Sequence, residues 1–261
     1  MWRDCNAGAG AGGPASPRRM RRRYQARRWW YCGGMAKVHH VAEVLARLRG
    51  AYGDKPLRRW GNGVEVLVET ILSQNTSNVN SEAGYRQLRR RFKTWDEVAD
   101  APVEEVERWI RVSGLSRIKA PRIQAILREV RAERGRISLE FLGRMEVAAA
   151  AAYLKRFKGI GPKTVNCILL FAFGKGVFPV DTHIHRIARR LKWIGPKVSA
   201  EKAHELLEPA IAEGERYAMH VLLIEHGRKV CKAVGPRCEK CVLLDVCPYG
   251  QGRVRNAKRA T

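Results

Sequence analysis

Lys163 and Asp181 are the two residues whose types and surroundings best suit covalent chemistry. Lys163 follows the turn Gly-Ile-Gly-Pro at 159–162, and a primary amine that has lost its proton is a nucleophile able to form a Schiff base. Asp181 precedes apolar residues that follow helical spacing from Ile184 to Leu191, so its carboxylate is predicted to cap that helix. The same carboxylate can stabilise positive charge or carry a proton. Both residues are candidates for catalysis, with a solvated lysine opposite a phosphate as the alternative for Lys163 and a helix cap alone as the alternative for Asp181.

The segment around Lys163 has the pattern of two helices joined by a glycine turn. A helix is predicted to end near Phe157, Gly159 and Gly161 form the turn, and Pro162 suits the first turn of the next helix. Glycines let a backbone come close to a phosphate, and the free N–H groups of the following helix point towards it. The pattern predicts a helix-hairpin-helix, which binds a DNA backbone without reading sequence. An ordinary turn between two helices is the alternative.

Four of the seven cysteines lie close together near the C-terminus with the spacing C-x6-C-x2-C-x5-C, and these are Cys231, Cys238, Cys241 and Cys247. Thiolates at such short spacing bind either structural zinc or an iron–sulfur cluster, and the spacing alone does not decide between them. A secreted disulfide scaffold would spread its cysteines and carry an apolar signal segment, and neither feature is visible. We therefore expect a metal site in a reducing compartment.

The charge of the chain favours a polyanionic partner. Its 261 residues include 50 Lys and Arg against 25 Asp and Glu, which gives a net charge of +25. Nucleic acid is the first candidate partner and an acidic membrane surface the second, and a soluble basic domain without such a partner is the third interpretation. A hydrophobic content of 45% is enough for a packed core and excludes a wholly disordered chain. The longest apolar stretch, 165–173, is far shorter than the roughly 20 residues of a membrane-spanning helix.

Helical periodicity dominates from residue 37 onward and predicts an all-α fold. Helix patterns occur at 41–48, 64–72, 103–112, 122–132, 147–157, 181–191, 202–212 and 217–226, although 64–72 also alternates like a strand. Residues 1–35 contain eight arginines and one acidic residue without apolar periodicity, which predicts a disordered basic extension. Such an extension suits a DNA-binding arm, an organelle transit peptide, or a start codon assigned upstream of Met35.

In their order along the chain, the hairpin at 159–164, the segment Val180-Asp181-Thr182-His183 and the four cysteines resemble the endonuclease III family of DNA glycosylases. The resemblance covers most of residues 37–250. It implies a helix-hairpin-helix DNA glycosylase fold with a six-helix barrel domain at 56–175. A second helical domain at 36–55 and 176–250 would carry a 4Fe-4S cluster on the cysteines, and 251–261 would be a basic tail. Catalytic residues would line the cleft between the two domains.

Lysine at position 163 resembles the family members that remove a base and then cut the strand. Relatives that excise adenine or a mismatched thymine usually carry serine or tyrosine there. The resemblance thus implies a bifunctional DNA glycosylase and AP lyase that excises oxidised or damaged pyrimidines from duplex DNA and cleaves 3′ to the abasic site by β-elimination. A monofunctional uracil or thymine mismatch glycosylase and a non-catalytic helix-hairpin-helix DNA-binding protein are the alternatives.

The same resemblance assigns residues that contact the DNA bases. In the family, one residue of the segment matching 71–78 fills the gap left by the extruded nucleotide, and that position aligns with Asn75, directly after Gln74. Asn75 stands where glutamine is typical and Asn78 where aspartate is common, which leaves the excised base open. Leu115 matches a leucine that wedges into the opposite strand. A polar loop for 74–78 and a core position for Leu115 are the alternative interpretations.

Phosphate contacts are expected from the amides at Gly159 and Gly161 and from Lys232 and Arg237, which flank the loop between the first two cysteines. We expect double-stranded DNA as the partner, a monomeric chain and no membrane association. The expected location follows the DNA: cytoplasmic and nucleoid-associated in a prokaryote, nuclear or mitochondrial in a eukaryote.

Overall fold

The computed structural model describes residues 38–259, so the predicted disorder of residues 1–35 lies outside the described part of the chain. Within residues 38–259 every regular element is helical, which confirms the all-α prediction. The α-helices are α1 (Val41–Tyr52), α2 (Gly63–Leu72), α3 (Asn78–Arg91), α4 (Trp95–Asp100), α5 (Val103–Ile110), α6 (Ser116–Arg134), α7 (Val147–Lys155), α8 (Pro162–Phe173), α9 (Thr182–Arg190), α10 (Ala200–Leu207), α11 (Arg216–Lys229) and α12 (Pro248–Arg259). Across these described residues, no helix is both long and apolar enough to cross a bilayer.

Helix α2 resolves the segment that fits both a helix and a strand. A capping box begins it: the Asn62 side chain accepts from the backbone N–H groups of Val64 and Glu65, and the Glu65 carboxylate accepts from the N–H of Asn62. Most of its side chains are buried, so its apolar residues surround the helix instead of marking one face. That arrangement explains why the spacing alone was ambiguous.

The buried hydrophobic side chains form two separate clusters. The first comes from residues 64–177 together with Tyr217, and it includes α2, α6 and α8. The second combines the buried residues of α1 with residues 178–247, so segments from both ends of the described chain build it. The chain passes from the first cluster to the second between Val177 and Phe178. The domain limits at 56–175 and at 36–55 with 176–250 stay a prediction.

Two helices lack the apolar pattern that would predict them. Helix α3 buries only Ser81, Gly84 and Leu88, and its N-terminus is fixed by the Ser77 hydroxyl, which accepts from the Asn80 N–H. Helix α12 buries only Gly250 and continues to Arg259, so residues 251–259 of the expected basic tail are helical. Both helices are strongly basic, and polar helices of this kind give little periodic signal.

Candidate active site and DNA interface

The glycine turn joins α7 to α8 as the spacing predicts, but its two glycines differ in backbone conformation and in their surroundings. Gly159 has a φ of 82°, and a Cβ there would collide with the Arg122 guanidinium. Gly161 is the N-cap of α8 with extended backbone, and no atom lies within 4 Å of the position of a Cβ. Gly159 is therefore required by the fold itself, whereas a Cβ at Gly161 would meet open space at the edge of the cleft.

Lys163 lies in the first turn of α8, half-buried, beside the Cys167 thiol. Burial raises the pKa of Cys167, and the charge of Lys163 and its hydrogen bond to the sulfur oppose that rise. Asp181 acts on the same thiol, and both Asp181 and Lys163 act on the buried His220. The amine and the carboxylate therefore lie near the same two buried side chains and line the same cleft, although they come from different parts of the chain.

Asp181 caps helix α9 as predicted, because its Oδ1 accepts from the Ile184 N–H at 2.8 Å. His220 lies behind it, 2% exposed, and its Nδ1 donates to the Pro179 carbonyl at 2.8 Å. Burial lowers the pKa of His220 to about 4, so its ring is neutral near pH 7. The cap holds the carboxylate in one orientation, which suits a group that must meet a developing charge.

The two other histidines near Asp181 make bonds within the protein. His185 Nε2 donates to the Val198 carbonyl at 2.8 Å, and His183 Nδ1 accepts from Arg186 at 2.9 Å. Burial lowers the pKa of His183, which keeps the ring neutral as that acceptor role requires.

A cleft of about 1180 Å³ opens in front of Lys163 and Asp181. Its walls come from α2, α3, α6, the hairpin with α8, the start of α9, and α10 and α11. The predicted residues that line it are Gln74, Asn75, Gly159, Gly161, Lys163 and Asp181, whereas Leu115, Lys232 and Arg237 lie outside it. Four further residues line the cleft without any local sequence pattern that predicts it: Trp60, Glu69, Arg122 and His220.

Gln74 and Asn75 differ in their contacts. Gln74 is half-buried: its Oε1 accepts from Arg122 at 2.8 Å, and its Nε2 lies 3.4 Å from both the Gly159 carbonyl and the Thr164 hydroxyl. Asn75 is exposed and has a φ of 53°. Gln74 therefore joins its loop to the hairpin, and Asn75 is the side chain free to reach outward.

Leu115 does not enter the core, so the core interpretation is wrong. It precedes α6 with a φ of 52° and is 48% exposed.

The buried Lys119, 1% exposed, donates from Nζ to the carbonyls of Leu72 and Ser113, at 2.7 Å each. One ammonium thereby joins the end of α2, which leads to Asn75, to the turn that carries Leu115. Burial lowers the pKa of Lys119 to about 8.

The four clustered cysteines are free thiols, of which Cys238 and Cys247 are buried and Cys231 and Cys241 are half-buried. Burial is the largest cause that raises the pKa of Cys241 to about 11, and the other three cysteines contribute to the same rise. Among residues 38–259 no three His, Cys, Asp or Glu side chains converge closely enough to hold a single metal ion. Donors reach the sulfurs, since Arg190 lies 3.1 Å from Cys231 Sγ and the Gly250 N–H 3.4 Å from Cys247 Sγ. This donor set fits a multi-iron group held by thiolates.

Helix α9 also fixes the loop between the first two cysteines. Arg190 donates to the carbonyls of Lys232 and Ala233, and Arg186 donates from Nε to the Cys231 carbonyl at 2.9 Å. Lys232 and Arg237 are exposed at the two ends of this loop. Their charges are thus presented from a backbone that is held in place.

A helical fold with a glycine hairpin and an Asp-capped helix at one cleft defines the class of helix-hairpin-helix DNA glycosylases. The chain belongs to the HhH-GPD superfamily of base excision DNA repair proteins, whose family model matches residues 68–213. It is 35% identical over 195 residues to endonuclease III of Thermotoga maritima, a match that covers 73% of this chain and 87% of that protein. An Arabidopsis thaliana protein assigned as a DNA glycosylase is 38% identical over 186 residues, and the match spans 70% of this chain but 63% of that protein.

Solved structures agree with the sequence comparison. Endonuclease III in a non-covalent complex with DNA has a TM-score of 0.72 and 27% identity, covering 85% of this chain and all of that one. Endonuclease III in a trapped covalent intermediate with DNA has the same TM-score at 28% identity and the same coverage. The predicted family and fold are confirmed, and the protein is a DNA glycosylase of base excision repair that binds DNA. The roles of individual site residues stay predictions.

Proposed function

We propose that this glycosylase is bifunctional: it excises oxidised or damaged pyrimidines from duplex DNA and then cleaves the strand 3′ to the abasic site. The single observation that carries this proposal is the position of Lys163. It lies half-buried in the same cleft as Asp181, and both residues interact electrostatically with Cys167 and His220. Only an amine can form an imine with the sugar, whereas a hydroxyl at this place cannot. Support also comes from the relative that was solved as a trapped covalent intermediate with DNA.

In the proposed reaction, the unprotonated Lys163 amine attacks C1′ of the extruded nucleotide. The bond from C1′ to the base breaks, and its electron pair leaves with the base. Asp181, held by the α9 cap, stabilises the positive charge that develops on the sugar. The amine then loses a proton and the deoxyribose ring opens at the bond from C1′ to O4′, which gives an imine. The proton on C2′ of this imine is then removed. The bond from C3′ to its oxygen breaks, and the strand on the 3′ side leaves with a 5′-terminal phosphate.

We further propose that Cys231, Cys238, Cys241 and Cys247 hold a 4Fe-4S cluster, which when bound supplies a rigid support for the loop after Cys231. Lys232 and Arg237 would contact DNA phosphates from that loop. The hairpin amides would contact the strand beside Lys163, while Asn75 and Leu115 enter the duplex. The proposed mode of DNA binding therefore uses four separate places on the chain, each fixed by contacts within the protein.

Borohydride trapping on DNA that carries a preformed abasic site tests the lyase proposal. Wild-type protein should form a covalent adduct, and Lys163→Ala should form none. Lys158→Ala is the matched control, since Lys158 is exposed directly before the glycine turn and its loss removes an equal charge. An undiminished adduct in Lys163→Ala would exclude Lys163 as the nucleophile. Removal of a damaged base without strand cleavage would identify a monofunctional glycosylase instead.

The cluster is tested on the purified protein itself. Iron and acid-labile sulfide should be present at about four atoms each per chain, with a broad visible absorbance and a brown colour. Cys241→Ser should lose that absorbance, whereas Cys167→Ser should keep it, because Cys167 lies in the first hydrophobic cluster. A colourless protein that contains one zinc would contradict the proposal.

A further inference from the structure

A second carboxyl group, on Glu69, faces the cleft outside the Lys163–Asp181 pair. Glu69 belongs to α2 and is half-buried. Within the described residues its side chain makes no hydrogen bond and no ion pair, in a chain that has twice as many basic as acidic residues. A carboxyl that serves only the fold normally finds a cation or an N–H donor when it loses water. The Glu69 carboxyl is thus free to form hydrogen bonds with a ligand in the cleft.

The charges around Glu69 favour its protonated form. Burial is the largest cause that raises the pKa of Glu69 to about 7, and the charges of Glu65 and Glu82 contribute to the same rise. The other charged groups that line the cleft are Arg122 on α6, Lys163 on α8, Asp181 before α9, Glu201 on α10 and Arg228 on α11. Arg122 is already bonded to Gln74. None of these cations lies among the groups that shift Glu69, so a substantial fraction carries its proton at neutral pH.

An aromatic surface lines the same cleft. One face of the Trp60 indole stacks on Phe171, with ring centroids 3.7 Å apart at an angle of 18°, yet the residue is 54% exposed. Trp60 Nε1 donates to the Tyr217 hydroxyl at 3.3 Å, which fixes the ring. A planar base removed from a duplex is commonly held by stacking on such a ring and by hydrogen bonds to its edge. Trp60 and Glu69 provide one group of each kind.

We propose that Glu69 is the acid of the glycosylase step: its carboxyl proton passes to the departing base. As the bond from C1′ to the ring nitrogen breaks, the electron pair moves onto the base, and O2 of the pyrimidine takes the proton from Glu69. The base leaves neutral, Glu69 becomes a carboxylate, and the Lys163 amine makes the new bond to C1′. This role rests on the proposed function, but it concerns base removal only, because strand cleavage at an abasic site has no base to protonate.

Two substrates separate this role from the rest of the reaction: a duplex with a thymine glycol and the same duplex with a preformed abasic site. Glu69→Gln should slow release of the thymine glycol by about 10²- to 10⁴-fold, the usual contribution of a general acid, and should cleave the abasic duplex at the wild-type rate. The ratio of the wild-type to the variant rate of base release should fall as the pH rises through about 7, because both proteins share the pH dependence of the remaining groups and only the wild type has the Glu69 proton to lose. Glu201→Gln is the matched control, because Glu201 lines the same cleft but is exposed and is not among the groups that shift the pKa of Glu69.

The variant is also expected to fold at least as well as the wild type, since an amide in place of a half-buried carboxyl removes its charge. A urea midpoint at or above the wild-type value, together with lost base release, is the result expected of a functional residue. Base release at the wild-type rate, or equal loss on both substrates, would overturn the role of Glu69. A wild-type protein that cleaves the abasic duplex but leaves every damaged base would overturn it too. If the wild type cleaves neither duplex, the proposed function fails and the role of Glu69 with it.

Discussion

Alanine substitution of the two hairpin glycines should separate the fold from DNA binding. In Gly159→Ala the backbone φ of 82° becomes strained, at a cost of about 1–2 kcal/mol for an L-residue in a left-handed conformation. The new Cβ must also displace the Arg122 guanidinium, which ends its hydrogen bond to Gln74. That half-buried bond contributes about 1 kcal/mol. We therefore expect the free energy of unfolding to fall by about 2–3 kcal/mol.

Gly161→Ala is the matched variant, because its backbone is extended and nothing lies within 4 Å of the new Cβ. Its stability should stay within about 1 kcal/mol of the wild-type value, because the less disordered unfolded chain and the poorer N-cap that alanine provides oppose each other. If the hairpin amides approach a phosphate, its affinity for abasic-site DNA should fall about tenfold, which corresponds to about 1.4 kcal/mol. Urea unfolding measures the first quantity and fluorescence anisotropy with labelled duplex measures the second.

Arg122→Ala makes the reasoning testable in detail. In that background the collision is gone, so Gly159→Ala should cost only the backbone strain, about 1–2 kcal/mol, and the two substitutions should not be additive. Equal stability loss in the two glycine variants, or full additivity with Arg122→Ala, would refute the assignment of Gly159 to the fold. Undiminished DNA affinity in Gly161→Ala would refute close contact between a phosphate and that glycine.

Three further expectations concern the cap, the buried histidine and the cysteine loop. Asp181→Asn should keep the α9 cap and the unfolding midpoint but lose base release, whereas Asp181→Ala should lose both, with a stability loss of about 1 kcal/mol; equal stability of the two would argue against the cap. The pKa of His220 is about 4 in the fold and 6.5 unfolded, so its share of stability is complete above pH 6.5 and is lost as the pH falls towards 4, by about 3 kcal/mol; urea curves between pH 7 and 4 should show this, and His220→Asn should remove it. Lys232→Ala should lower the slope of log affinity against log salt by about 0.9, as expected for one lost phosphate contact, with an unchanged slope excluding that contact.

The residues predicted well are those whose role depends on neighbours in the sequence. The cap by Asp181 and the turn at 159–161 follow from residue types within a few positions of one another. The different roles of Gly159 and Gly161 could not be predicted, however. Only Gly159 lies against Arg122, and that side chain comes from a helix distant in sequence.

Residues whose role depends on tertiary surroundings were not predictable. The sequence pattern would place Glu69 on the polar face of a helix and Lys119 on the surface, since a sequence does not show which polar side chains become buried. Lys119 is nevertheless 1% exposed, and Glu69 lines the cleft with no bonding partner among the described residues. Their environments come from α3, α6 and α8 packed against α2, which no local pattern specifies.

The second hydrophobic cluster has a consequence for how the chain is made. Val44, Leu45 and Leu48 of α1 pack against residues that begin only at Phe178. On a ribosome, α1 therefore emerges more than a hundred residues before its partners, while the segment 64–177 can collapse in the meantime. The apolar face of α1 is left open to chaperones during that interval, and its docking would be among the last steps of maturation.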